Sequence, residues 1–126
     1  MVQKGTEYFL GIDVGSVSAN TVIVSGQKEV IEEHYHRIHG QPIATVRDIL
    51  SDIFTRIAPA NFADISFVGT GGKLLAGLLN ANFVNEIIAQ SKAIEWLHPN
   101  VRTVIEMGGE DSKLILLDYD PVSYTH

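Results

Sequence analysis

Twice in this chain an acidic residue at the end of an apolar run is followed by a glycine turn. Asp13 leads into Val14, Gly15 and Ser16, and Glu106 leads into Met107, Gly108, Gly109, Glu110 and Asp111. A glycine turn after a strand aims several backbone N–H groups at one point and keeps a Cβ out of an anion's way. A carboxylate at the same strand end can hold Mg²⁺, directly or through waters. One such hairpin is half of a phosphate site. Two facing each other make a clamp, with Asp13 and Glu106 near the metal. The plainer alternative is a pair of tight turns in which glycine only supplies positive φ.

A third glycine-rich stretch, Gly69-Thr70-Gly71-Gly72-Lys73, follows another apolar run. It fits neither GxxxxGK[ST] nor GxGxxG. It either lets backbone pass close to a ligand or is a flexible connection; the sequence leaves both open. His34 and His36 share one face of a strand, with His39 nearby, and such a pair can ligate a metal. A solvated edge strand is the favoured reading. No nucleophile motif surrounds Ser16 or Ser112, so no triad is assigned.

These residues need elements to hold them. Tyr8–Ile12, Thr21–Val24 and Glu29–Ile38 read as three strands in an antiparallel meander. Gly40-Gln41-Pro42 breaks the pattern. Ile43, Val46, Ile49, Leu50, Ile53, Phe54 and Ile57 then recur at spacings of three and four, an amphipathic helix of about four turns. Asp52 and Arg56 are spaced as an i,i+4 pair on its polar side. Ile65–Val68 is a strand, and Lys73–Leu79 a helical turn or two. Val84–Leu97 is a second helix with Val84, Ile87, Ile88, Ser91 and Ile94 or Leu97 inward. Val101–Met107 is a buried strand and Leu114–Leu117 returns along it. The order predicts an α/β fold, a mixed sheet with an antiparallel β-meander plus helix-connected strands. Because the two acid–glycine hairpins resemble each other, residues 1–100 are expected to form one subdomain and 101–126 the opening hairpin of a second, truncated one.

Composition narrows the function classes. The 126 residues are 45% hydrophobic, which is the composition of a folded domain. With 9 Lys+Arg against 15 Asp+Glu the net charge is −6, which argues against a nucleic-acid or anionic-membrane surface. No apolar run is long enough to span a bilayer. The first residues carry no signal-peptide core, so a cytoplasmic location is expected. There is no Cys, hence no disulfide framework and no thiolate-held cluster within these residues.

The run Ile12-Asp13-Val14-Gly15-Ser16 resembles the first phosphate motif of the acetate and sugar kinase, heat-shock chaperone and actin superfamily. The stretch Val68-Gly69-Thr70-Gly71-Gly72, then Asn85 to Asp118, is similar to a narrower group, the BadF/BcrA-type ATPases. These activate 2-hydroxyacyl-CoA dehydratases and benzoyl-CoA reductases, and their pattern runs approximately E-I-x-x-H-A-x-G, then D-I-G-G-Q-D-S-K. Asp13, Gly15 and Ser16 match the first phosphate motif, Glu86 and Ile87 the helix motif, and Gly108, Gly109, Asp111, Ser112 and Lys113 the second phosphate motif.

The resemblance implies a ribonuclease H-like (actin-like ATPase) domain that binds ATP or ADP with Mg²⁺. It implies Asp13 and Glu110 as catalytic residues, Asp13 and Glu106 as metal residues, and Gly15, Ser16, Gly108, Gly109, Asp111 and Lys113 as nucleotide contacts. It further implies a dehydratase-type partner enzyme, and an intact protein that is a homodimer bridged by a [4Fe–4S] cluster whose Cys ligands lie outside this chain. Four departures stand out: Glu106 for Asp, Glu110 for Gln, Asn20 for Lys and Gln90 for the helix His. They bear on the rate of hydrolysis. Alternatives are a sugar- or acetate-type kinase of the same superfamily and a catalytically dead, actin-like regulatory domain. A ribonuclease H-like nuclease is disfavoured by charge and by Val68-Gly69, where a further metal-binding acid would be needed.

Overall fold

A computed structural model describes residues 7–107 and 112–117. The chain divides into two compact units, Met1–Val84 and Asn85–His126.

The first unit holds β1 (Tyr8–Val14), β2 (Ser18–Ser25), β3 (Val30–Arg37), α1 (Pro42–Arg56), β4 (Phe62–Val68), α2 (Gly72–Leu79) and β5 (Asn82–Phe83), with a 3₁₀ turn at Pro59–Asn61 before β4. Its sheet runs in the order β3-β2-β1-β4-β5. β1, β2 and β3 pair antiparallel, as the meander predicts, while β4 pairs parallel to β1 and β5 parallel to β4. β1, which carries Asp13, is the central strand.

Strand alternation explains the core. Leu10, Ile12 and Val14 of β1 and Ala19 and Ile23 of β2 are buried with Phe67 of β4, against Val46, Ile49 and Ile53 of α1 and Leu75 and Ala76 of α2. Phe62 packs between Tyr8 and Phe54, tilted against the first and edge-on to the second, with ring centroids 6.2 and 5.9 Å away. The odd residues of β1, including Asp13, go to the opposite face of the sheet.

β5 was not legible in the sequence. Two residues are too few to show a period, and its pairing with Ser66 and Phe67 is what makes it a strand. Val84 extends that pairing, its N–H donating to the Phe67 carbonyl at 2.8 Å, instead of opening the next helix.

The predicted Asp52–Arg56 pair forms at 2.8 Å. Arg56 also reaches across to Glu32 of β3 at 2.6 Å, and His34 bonds the same carboxylate at 2.9 Å. His34 and His36 stand on the sheet's edge strand. The Arg56 hydrogen bond, with that of His34, holds the Glu32 carboxyl below its ordinary value of 4.5. A lowered carboxylate pKa stabilises the fold above that ordinary value, and the contribution fades as pH falls through the lowered one. Arg56→Gln is therefore expected to narrow the gap in Tm between neutral pH and pH about 3. Thermal melts at both pH values check this; an unchanged gap refutes it.

The second unit holds α3 (Glu86–Leu97) and the antiparallel hairpin β6 (Thr103–Met107) and β7 (Ser112–Leu116). Asn85 caps α3, its Oδ1 accepting from the N–H of Ile87 at 2.8 Å and of Ile88 at 3.4 Å. Ile87, Ile115 and Leu117 form a small core, flanked by Ile94, Val101 and Val104. Ile88, expected inward, is exposed. β6 is not the buried strand its composition suggested: Ile105 is 69% and Met107 78% exposed. A two-stranded ribbon can hide only one of its faces.

Candidate functional site

Three segments of the first unit converge at the C-terminal end of β1. The first is β1 itself, which ends Ile12-Asp13-Val14. Ile12 and Val14 are locked in the core, and this fixes Asp13 on the other side of the pleat. Its register partners are Asn20 on β2 and Val68 on β4.

The second segment is the β1–β2 turn. The Gly15 N–H donates to the Ser18 carbonyl at 3.0 Å, closing the hairpin. That N–H is thus committed to the turn. At the tip of the hairpin Ser16 and Val17 are exposed.

The third segment is the loop after β4, and here the structure decides what the sequence left open. Gly69 has φ +92°, and a Cβ there would lie 2.5 Å from the Val14 carbonyl oxygen and 2.6 Å from Asp13 Oδ1. A Cβ on Gly71 would lie 2.7 Å from Val14 Cγ1. The Gly71 N–H donates to the Val14 carbonyl at 2.9 Å. The glycines are therefore a close-packed brace on the end of β1, not slack. The brace leads straight into α2, whose N-terminus adds partial positive charge at this end of the sheet. Gly69 and Gly71 belong to the candidate site, although sequence reasoning placed them there only as one of two options.

Asp13 offers an oxygen donor at a strand end. Among the described residues there is no group of three His, Cys, Asp or Glu that could hold a metal. One carboxylate backed by waters and phosphate oxygens suits Mg²⁺, which dehydrates reluctantly. The residues thus fit Mg²⁺. They do not fit an iron–sulfur cluster, since the chain has no Cys.

The second unit carries the other expected acid. Glu106 lies on β6, half-buried, opposite Lys113 of β7 in the register. It accepts a hydrogen bond from Gln90 Nε2 of α3. Gly108, Gly109, Glu110 and Asp111 lie outside the described residues, as does the Lys113 side chain. Asp13 and Glu106 belong to different units. Gln90 as a partner of Glu106 was missed; its only trace in the sequence is its place on the helix.

The profile of the BadF/BadG/BcrA/BcrD ATPase family matches residues 10–123. The chain belongs to this family. Among BadF-type relatives, the activator of lactoyl-CoA dehydratase from Anaerotignum propionicum is 32% identical over 112 residues, covering 88% of this chain and 42% of that protein. The crystal structure of component A of (R)-2-hydroxyglutaryl-CoA dehydratase from Acidaminococcus fermentans superposes with a TM-score of 0.79 at 26% identity, over 93% of this chain and 45% of that one. The activator of 2-hydroxyisocaproyl-CoA dehydratase from Clostridium difficile, solved with bound ADPNP, gives a TM-score of 0.76 at 21% identity, over 91% and 43% of the two chains. The fold is that of the actin-like ATPases, as the family resemblance implies. The chain spans less than half the length of these relatives. No helix among the described residues is long and apolar enough to cross a membrane.

Proposed function

We propose that this chain is the N-terminal, nucleotide-binding part of an ATP-driven activator. Its partner is a 2-hydroxyacyl-CoA dehydratase or a benzoyl-CoA reductase-type enzyme, which receives a low-potential electron. The observation that carries the reading is the family match over residues 10–123, which takes in both acid–glycine hairpins. The names of the relatives support the class of partner, and the ADPNP in the C. difficile structure supports the nucleotide.

In this reading Asp13 is the carboxylate for Mg²⁺, directly or through its waters, and Glu106 is the second acid of the metal site. The β1–β2 turn, with Gly15 and Ser16, takes one side of the phosphates. Gly108, Gly109, Asp111 and Lys113 take the other. Glu110 orients the attacking water. When bound, Mg²⁺ neutralises charge on the phosphates. The chain's own task is to hold its carboxylates at fixed strand ends and to keep backbone within reach of the phosphates. Residues 1–100 and 101–126 would be the first subdomain and the opening hairpin of the second. Homodimerisation, a cytoplasmic location and the cluster belong to the intact protein.

Both phosphate hairpins lie within residues 1–126, but the chain spans less than half the length of the activators it matches, and a nucleotide also needs contacts to its base and sugar. Residues 1–126 alone are therefore expected to bind Mg–ATP weakly and not to turn it over. Isothermal titration and a phosphate-release assay check this. Micromolar affinity with turnover by residues 1–126 alone would sink the proposed division of labour. A kinase reading is weaker, because the Asp111-Ser112-Lys113 run after the second glycine pair matches the activators.

A further inference from the structure

Glu106 has to be held in place by something outside its own strand. A glutamate carboxylate stands one methylene further from the backbone than an aspartate's, with one more torsion to fix. The pleat of β6 puts Val104 and Glu106 on one face, opposite Ile115 and Lys113 in the register, and Ile105 and Met107 on the exposed other. Val104 packs on the small core that includes Ile87 of α3, so the face that carries Glu106 is the helix-facing one. From α3, Gln90 donates through Nε2 to Glu106 Oε2.

That bond sets the orientation of the Gln90 amide. Turning the amide over would set its oxygen against the carboxylate, two acceptors with no proton between them. In the orientation observed, Gln90 Oε1 is buried and accepts from no described residue. Beside it Ser91 is 1% exposed, and its Oγ is likewise buried, with no partner among the described residues. Buried polar atoms left unsatisfied weaken a fold. An amide with one end unsatisfied and the other on a carboxylate is therefore better explained by what it orients than by what it stabilises.

We propose that Gln90 is a positioning residue for Glu106: through it α3 fixes the carboxylate at the end of β6, so that helix and hairpin present the acid in one conformation. The inference rests on the reading of Glu106 as part of the Mg–nucleotide site.

Two measurements on the intact protein test it. In a ¹⁵N spectrum of side-chain amides, the Gln90 NH₂ signal is identified by its loss in Gln90→Leu, and it shifts in Glu106→Gln. A signal indifferent to Glu106→Gln overturns the contact. In steady-state hydrolysis of Mg–ATP, Gln90→Leu lowers kcat about tenfold with KM within about twofold, because the acid is misplaced while the nucleotide still binds. Gln90→His, whose ring N–H can replace the donor, recovers most of that loss, and both variants are compared at matched Tm. Wild-type kcat in Gln90→Leu, or equal losses in the Leu and His variants, overturns the proposal while the functional reading survives. A wild-type protein that turns over no ATP sinks the functional reading and this inference with it.

Discussion

Gly69→Ala is expected to lower the stability of the first unit by about 3 kcal/mol. Two costs add. The backbone at φ +92° is one that L side chains rarely adopt. The new methyl would also lie 2.5 Å from the Val14 carbonyl oxygen and 2.6 Å from Asp13 Oδ1. The first neighbour is backbone of the central strand and cannot turn away. For a unit of this size the loss corresponds to a fall in Tm of roughly 12 °C or more. Gly40→Ala is the control. Its φ is +72° but a Cβ there meets nothing within 4 Å, so it bears the backbone cost alone, about 1 kcal/mol. Thermal unfolding of the two variants separates close approach from positive φ. Equal melting shifts would show that the loop is not braced on β1.

Asp13→Asn is expected to lower Mg–ATP hydrolysis by the intact protein about 100-fold or more, with little change in Tm. A metal's neutralisation of phosphate charge contributes several kcal/mol to a transition state, and each 1.4 kcal/mol is about tenfold in rate. Asparagine keeps the size and one oxygen of the side chain but loses the charge that holds the metal. Asp13 is on the face of β1 away from the α1–α2 core, so the substitution leaves core packing as it was. Higher Mg²⁺ should recover part of the rate. A variant with wild-type rate at limiting Mg²⁺ would remove Asp13 from the metal site. Steady-state rates across a Mg²⁺ series decide it.

Periodicity made most of the first unit legible in advance. The β-branched run at Thr21–Val24 and the spacing from Ile43 to Ile57 are local signals, and a strand and a helix stand at those places. The Asp52–Arg56 pair follows from helix geometry alone. Where the signals gave out, the missing information was non-local. Asn82-Phe83 becomes a strand only because β4 is beside it. Val101–Met107 looks fully buried by composition, yet burial depends on how many faces are covered, and a two-stranded ribbon covers one. The bond from Arg56 to Glu32 joins residues on a helix and an edge strand, which no spacing rule predicts.

The candidate site divides along the same line. The sequence by itself determined that Asp13 ends an apolar strand before a glycine turn, that a second acid–glycine hairpin follows at Glu106, and that a third glycine cluster lies at residues 69–72. Residue type and short-range order suffice for this, because strands and tight turns are local. Only the tertiary structure decided that Gly69 and Gly71 are pressed against Asp13 and Val14, that the Gly15 N–H is committed to its own turn, and that Glu106 is held by Gln90 from a helix. The glycine brace and the Gln90–Glu106 bond join different elements of the chain, the Gly15 bond depends on the exact form of its turn, and a glycine gives the same sequence signal whether it borders open space or another strand's backbone.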